Sequence, residues 1–318
     1  MIPGAPPKYS WLAWSLAAMT CFGATNFLLG YIAEKSAGDP AASVKAAMVL
    51  WLGCGLLGIA GAAHFICSGR GFSGLPRPRF LLFPVAAGVF LALAMLMLKA
   101  SLAADPLAKG PIVAVASANS LVVALLAWAF IREKLVSWQW AGILTVVAGI
   151  VLISLDGGGR ARFGALGLAI AAMLLFGITN FLLKLAGVRG GDSLTVAVVL
   201  WLAVGACGLL AVAWHGSFGA GFPALGSPAL TWLALLAGIF LALGMLAIKR
   251  GVTLGPAGPA AAVSGSNAIL VSLLDLGILG HWLPPMKMAG MMTAIAGIAA
   301  LALARPLKKS QAPTEGAA

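Results

Sequence analysis

The octapeptide FGATNFLL at residues 22–29 returns as FGITNFLL at residues 176–183, with seven of its eight letters unchanged. Further matched segments follow each copy in the same order, at offsets that shrink from 154 to 150 and then to 148. They are MVLWL 48–52 with VVLWL 198–202, GVFLALAMLMLK 88–99 with GIFLALGMLAIK 238–249, and VASANSLV 115–122 with VSGSNAIL 263–270. Chance similarity between Ala-, Leu- and Gly-rich segments does not align Phe, Thr, Asn, Trp and Lys in one order. The sequence therefore contains a duplicated unit.

The composition of the chain is that of a membrane protein. Of its 318 residues, 62% are hydrophobic and only 9% are charged, and the mean hydropathy is +1.06. An average soluble domain is about 45–50% apolar and about 25% charged. These values exclude a soluble enzyme, a disordered chain and a nucleic-acid-binding domain. The net charge of +12 is spread singly or in pairs between apolar runs, which is typical of charges that orient a membrane protein.

Ten apolar runs are close to the length of about 20 residues that a membrane-spanning helix needs. The predicted helices cover residues 11–33, 42–66, 80–103, 110–131, 137–155, 163–186, 194–214, 229–250, 258–279 and 287–305. Each copy of the duplicated unit then holds five helices, the first in residues 1–156 and the second in 157–318. Because five is odd, the second copy enters the membrane from the opposite side. The expected fold is an all-α integral membrane bundle of two inverted five-helix repeats, an architecture typical of transporters.

Lysine and arginine positions predict the orientation of this bundle. With a cytoplasmic N-terminus, 13 of the 20 basic residues fall in or near cytoplasmic segments. Both termini are therefore expected in the cytoplasm, and the chain in the cell membrane (inner or plasma membrane) as a multi-pass protein.

Asparagines at matched positions are the first candidates for a substrate site. Asn119 and Asn267 lie near the centres of the fourth and ninth predicted helices. A carboxamide both donates and accepts hydrogen bonds, so it suits a zwitterion or an uncharged polar solute. Polar groups at this depth need a partner, and a simple interhelical hydrogen bond is the alternative interpretation.

The first and sixth predicted helices carry a second set of candidates. Each helix has a Thr-Asn pair, with a phenylalanine one turn before the asparagine on the same face. An amide beside an aromatic wall would form a mostly apolar pocket with a few polar groups. The residues are Phe22, Thr25, Asn26, Phe176, Thr179 and Asn180. Alternatively, Thr and Asn cap or kink these helices.

Tryptophans and lysines provide two further matched pairs. Trp51 and Trp201 could form cavity walls or gates, and lipid-facing anchors are the alternative. Lys99 and Lys249, the latter followed by Arg250, could attract an anionic substrate, although a lysine near a helix end can also reach water.

The segment REKLVSWQWAGILTVVAGIVLIS at residues 132–154, together with the five-plus-five arrangement, resembles the EamA-type branch of the drug/metabolite transporter superfamily. The resemblance rests on an acidic-basic turn, a tryptophan-containing helix start and a glycine-punctuated last helix. Here these features are Glu133, Lys134, Trp138, Trp140, Gly142 and Gly149. The second repeat departs from the pattern, with Gly280, His281 and Trp282 at the turn. The resemblance implies export or exchange of amino acids, other metabolites or drugs through a central cavity lined by both repeats.

The sequence thus predicts a secondary transporter of small amphipathic metabolites, with a small-molecule substrate and the lipid bilayer as partners. We expect no enzymatic activity, no cofactor, no metal site and no nucleic-acid partner, and a homodimer is left open. Two alternatives remain: a transporter of anionic metabolites, such as sugar phosphates or nucleotide sugars, using Lys99, Lys249 and Arg250, and a non-transporting membrane scaffold.

Overall fold

The computed structural model describes residues 10–36, 39, 41–69, 81–104, 112, 115–154, 163–217, 223, 225–280 and 284–303. Every regular element in these ranges is a helix. The helices are α1 Ser10–Lys35, α2 Ala42–Cys67, α3 Leu82–Ala104, α4 Asn119–Ile131, α5 Ser137–Ser154, α6 Phe163–Val188, α7 Ser193–His215, α8 Pro228–Leu254, α9 Ala257–Gly265, α10 Ala268–Leu274 and α11 Pro285–Leu303, with a π-helical segment Asp275–Leu279 after α10. The boundary predicted at residues 156 and 157 lies outside the described residues.

Local chemistry accounts for several helix ends. The Asp192 carboxylate accepts a hydrogen bond from the Thr195 N–H and caps α7. Ser227 caps α8 in the same way, and Pro228 follows at the first helical position, where its missing N–H costs nothing. At its other end, α4 stops at Arg132, whose φ of 56° is left-handed and cannot continue a right-handed helix.

Seven helical stretches in the described part of the chain are long and apolar enough to cross a membrane, including residues 257–279, which comprise α9, α10 and the π-helical segment. Three shorter apolar helices coincide with the fourth, fifth and tenth predicted runs. The all-helical prediction is confirmed, and the fold is consistent with a membrane protein. The count of ten membrane-spanning helices remains a prediction.

The outer surface of the bundle carries large apolar side chains. Phe130, Leu210 and Trp232 are each at least 70% exposed. An exposed apolar surface of this extent is unfavourable in water and favourable in lipid.

Glycines bring α2 and α7 into close contact at the centre of the bundle. A Cβ atom added to Gly55 would lie 2.6 Å from the Gly205 Cα, so the two backbones touch. Around this point, Gly58 packs on Trp201 and Gly208 packs on Trp51. Since Gly58 and Trp51 are matched to Gly208 and Trp201 at an offset of 150, the matched residues make the same contact with exchanged partners.

The remaining helices pair in the same reciprocal way. Helix α1 packs on α8 while α6 packs on α3, α4 packs on α9, and α5 packs on α11. In the last pair, Gly149 approaches Ala294 and Gly297 approaches Val146, again with matched residues exchanging partners. At these positions, residues that are matched in the sequence exchange contact partners.

Candidate functional site

Two helical stretches are interrupted at the predicted asparagines. Helix α4 begins at Asn119, after a turn at Ala118, and the stretch 257–279 is interrupted at Ser266 and Asn267, between α9 and α10. At each break the asparagine amide donates to the carbonyl three residues earlier, Asn119 to Ala116 at 3.1 Å and Asn267 to Ser264 at 3.4 Å. Interrupted helices expose backbone polar groups inside a bundle, a feature that transporters use to bind solutes.

A carboxamide pair joins α1 to the break before α10. Asn26 Nδ2 donates to Asn267 Oδ1 at 2.9 Å, and both side chains are half-buried. The structure therefore brings together one asparagine from each predicted set. The sequence indicated both residues but did not predict that they form a bond, because they lie 241 positions apart.

The matched asparagines of the other half, Asn180 and Asn119, lie across the equivalent interface between α6 and α4. Gly177 packs against Val122 there, just as Gly23 packs against Leu270 beside the bonded pair. Within the described residues, Asn180 makes no side-chain hydrogen bond, and it is half-buried. Its carboxamide thus has both its donors and its acceptor unused within the described residues.

The two threonines are engaged in helix packing. Thr25 Oγ1 donates to Ala237 O on α8 at 3.2 Å, and Thr179 Oγ1 donates to Ala87 O on α3 at 3.4 Å. Both side chains are buried. Of the two phenylalanines, both half-buried, Phe22 packs on α8 at Gly244. A substrate role for these four residues remains a prediction.

Both predicted tryptophans lie in the interior. Trp51 and Trp201 are 4% and 3% exposed, so neither is placed as a lipid-facing anchor. Trp201 Nε1 donates to Ala242 O at 2.9 Å, whereas Trp51 Nε1 is buried without a hydrogen-bond partner.

The basic residues are mostly held by the protein itself. Lys249 is fully buried, and its ammonium donates to Gly191 O at 3.1 Å and to Ser193 Oγ at 3.3 Å. The Arg250 guanidinium lies 4.5 Å from the centre of the Trp14 ring. Lys99 is half-buried towards the end of α3.

A polar cluster that the sequence did not predict ties together three segments at one end of the bundle. Lys184 Nζ lies 3.4 Å from Glu133 Oε2 and donates to Gly255 O at 2.7 Å. The Ala257 N–H, at the start of α9, donates to the other oxygen of Glu133 at 2.9 Å. Glu133 was assigned to a turn motif, and nothing in its local sequence indicates Lys184 as its partner.

We expect the Glu133–Lys184 pair to stabilise this end of the protein. Glu133→Ala should lower stability by about 1–3 kcal/mol, because it leaves a largely buried ammonium without its counter-charge and the Ala257 N–H without an acceptor. Glu133→Gln should cost less, since it can retain the bond to Ala257. Thermal unfolding in detergent measures both variants. Adding Lys184→Met to Glu133→Ala should restore part of the loss, and strictly additive effects would contradict a coupled pair.

A cavity of about 590 Å³ lies at the opposite end of α8, against the last turn of α1. It is lined by Tyr31, Lys35, Ser36, Asp39, Ser227 and apolar residues of the start of α8. Asp39 bonds Lys45 at 2.7 Å, and this bond, together with a bond from the Ala41 N–H, lowers the pKa of the Asp39 carboxyl below its usual value. Since α8 is 27 residues long, this cavity and the Glu133 cluster are about 40 Å apart.

The described residues hold no group of three His, Cys, Asp or Glu side chains that could bind a metal ion. Asp275 is half-exposed at the start of the π-helical segment. The side chains of the nearby His281 and Lys287 lie outside the described residues.

No protein-family model matches the chain, and no curated protein matches it. Among solved structures, 26 chains match. One, a crystal structure of a protein, superposes with a TM-score of 0.72 at 17% sequence identity and covers 92% of this chain and 97% of its own. At this identity the likeness concerns the fold alone, and the chain shares that fold over nearly all of its length.

Proposed function

We propose that the protein is a secondary transporter in which two inverted five-helix repeats alternate access to a central site. The observation that carries the proposal is the exchange of contact partners between matched residues, such as Gly58 with Trp201 and Gly208 with Trp51. Such reciprocity is expected when two related units pack about a pseudo-two-fold axis. The interrupted helices at Asn119 and Asn267 support a polar site near that axis.

In this proposal all ten apolar helical stretches cross the membrane. The three shorter ones are paired with partners inside the bundle, α5 with α11 and α4 with the stretch that contains α9. The motif around Glu133 and Trp138 supports placement in the EamA-type branch of the drug/metabolite transporter superfamily.

The proposed substrate is a small amphipathic metabolite, such as an amino acid or a related zwitterion. The four asparagines Asn26, Asn119, Asn180 and Asn267 supply donors and acceptors without net charge. An anionic substrate would instead need free cations. Two of the three candidates, Lys249 and Arg250, are engaged with the protein, whereas Lys99 makes no hydrogen bond within the described residues. This contrast favours the zwitterion over the sugar-phosphate or nucleotide-sugar alternative.

Uptake into proteoliposomes tests the proposal directly. The purified protein should accelerate entry of at least one zwitterionic or neutral metabolite from a panel over protein-free vesicles, and a pH gradient applied in parallel reports proton coupling. Preference for phosphorylated anions would favour the alternative that uses Lys99 and Lys249. Absence of any uptake by folded protein would favour a scaffold.

We also propose that both termini face the cytoplasm of a cell or plasma membrane. A green fluorescent protein fused after Ala318 should fluoresce, and an alkaline phosphatase fused there should be inactive, because each folds in only one compartment. The matched control places the same reporters after Gly38, between the first two helices, where they should give the reverse signals. An active phosphatase after Ala318 would overturn this topology.

A further inference from the structure

The two halves differ in the hydrogen bonds of their matched asparagines. Asn26 and Asn267 are bonded at 2.9 Å, whereas the Asn180 carboxamide has no partner within the described residues. The backbone packing does not explain this difference, because Gly23 contacts Leu270 and Gly177 contacts Val122 in the same manner. One carboxamide pair is thus formed and its counterpart is open.

The matched tryptophans differ in the same way. Trp201 Nε1 donates to Ala242 O, but Trp51 Nε1 is buried and has no partner. The residue matched to Ala242 is Ala92, which is itself buried, at 3% exposure. A buried N–H without an acceptor is destabilising, so an arrangement in which Trp51 donates to the Ala92 carbonyl would remove that penalty.

The matched threonines make the same contact in both halves. The Thr25 hydroxyl bonds Ala237 O as the Thr179 hydroxyl bonds Ala87 O, and these pairs are matched in the repeat. The asymmetry at the asparagines and tryptophans therefore occurs beside helix contacts that are reciprocal.

We propose that these bonds are exchanged when the protein changes the side to which it is open. In the structure described, Asn26–Asn267 and Trp201–Ala242 are formed; in the opposite state, Asn180–Asn119 and Trp51–Ala92 replace them. Two bonds break and two chemically identical bonds form, so the two states have similar free energies, as a reversible transporter requires. The inference rests on the proposed alternating access and assigns the four asparagines as its two gates.

Cross-linking tests whether the two asparagine pairs exclude each other. In a background without Cys21, Cys54, Cys67 and Cys207, all four asparagines are replaced by cysteine in one chain: N26C, N267C, N119C and N180C. A short bifunctional thiol reagent is added to the folded protein in vesicles, and peptide mass mapping identifies the products. We expect molecules linked at 26–267 and molecules linked at 119–180, with few linked at both.

If most molecules are linked at both pairs, the proposed exchange is wrong. It is also wrong if the 26–267 product forms and no 119–180 product forms. If the fourfold variant does not fold, the separate pairs N26C/N267C and N119C/N180C replace it. Each link should then trap the protein and abolish the residual uptake that the unlinked cysteine variant retains, and reduction of a cleavable link should restore that residual rate. Uptake by fully linked protein at the rate of the unlinked variant would contradict the assignment.

The tryptophans provide an independent readout in the same cross-linking assay. Trp51→Phe removes the unpaired N–H and should raise the ratio of 26–267 to 119–180 product about fivefold, while Trp201→Phe should lower it about fivefold. An unchanged ratio in both variants, or shifts in the same direction, would overturn the role of the tryptophans. The cross-linked products are measured without any transport assay. If both products form but the protein moves no solute, the transport proposal is refuted and the exchange of bonds remains supported.

Discussion

Gly205→Val should prevent the protein from folding stably. A Cβ at this position would lie 2.5 Å from the Gly55 Cα, and the obstruction is backbone of α2, which cannot move aside as a side chain can. Overpacking commonly costs about 1–3 kcal/mol, and a clash between two backbones lies at or above that range. We expect a large loss of monodisperse protein in size-exclusion chromatography and a clear fall in the unfolding temperature in detergent.

Gly167→Val is the matched control for this experiment. Gly167 is an exposed helical glycine of α6 with no atom within 4 Å of its added Cβ, so valine there should leave stability nearly unchanged. Equal yields of the two variants would show that α2 and α7 do not meet at Gly55 and Gly205. Gly55→Val should reproduce the Gly205→Val defect, since the contact is reciprocal.

Asn267→Ala should reduce uptake on the order of tenfold or more while the protein remains folded. The change removes the acceptor of the Asn26 amide and leaves that donor unpaired inside the bundle. It also removes the side chain that bonds the interrupted backbone at Ser264. Initial rates of uptake in proteoliposomes, normalised to folded protein, measure the effect. Uptake by the Asn119→Ala variant should be reduced to a similar extent, because Asn119 is the residue matched to Asn267 in the first half.

Ser266→Ala is the neighbouring control for transport. Its hydroxyl bonds only the Ala262 carbonyl of its own helix, and the matched residue in the first half is Ala118. Uptake by this variant should stay close to that of the unmodified protein. Uptake by Asn267→Ala at the same rate as Ser266→Ala would remove the asparagines from the proposed site.

Helix positions could be predicted closely where composition alone sets them. The prediction of 42–66 corresponds to α2 at Ala42–Cys67, and 194–214 corresponds to α7 at Ser193–His215. The prediction of 229–250 stopped too early, at the charged pair Lys249 and Arg250, whereas α8 continues to Leu254. The charged pair lies inside the helix, where the buried Lys249 ammonium has acceptors on Gly191 and Ser193 that the local sequence does not indicate.

The residues of the candidate site could be predicted from the sequence, but only some of the contacts between them could. The repeat identified the matched asparagines, and polar side chains in apolar runs are conspicuous. The sequence did not predict that the helix in the run 258–279 is interrupted at Asn267, since no proline or charged residue lies at that point. It also missed the link from Glu133 to Lys184, which joins residues in different halves.

The sequence by itself determined the duplication, the apolar all-helical character and the residues at which polar groups enter the helices. These follow from local hydrophobicity and from comparison of the chain with itself, because a helix in lipid satisfies its own backbone hydrogen bonds. Only the tertiary structure decided that Asn26 bonds Asn267 while Asn180 is unbonded, and that Trp201 is satisfied while Trp51 is not. Two sequence units with matched segments predict equal contacts at those segments. The packed structure forms some of these contacts in one half only.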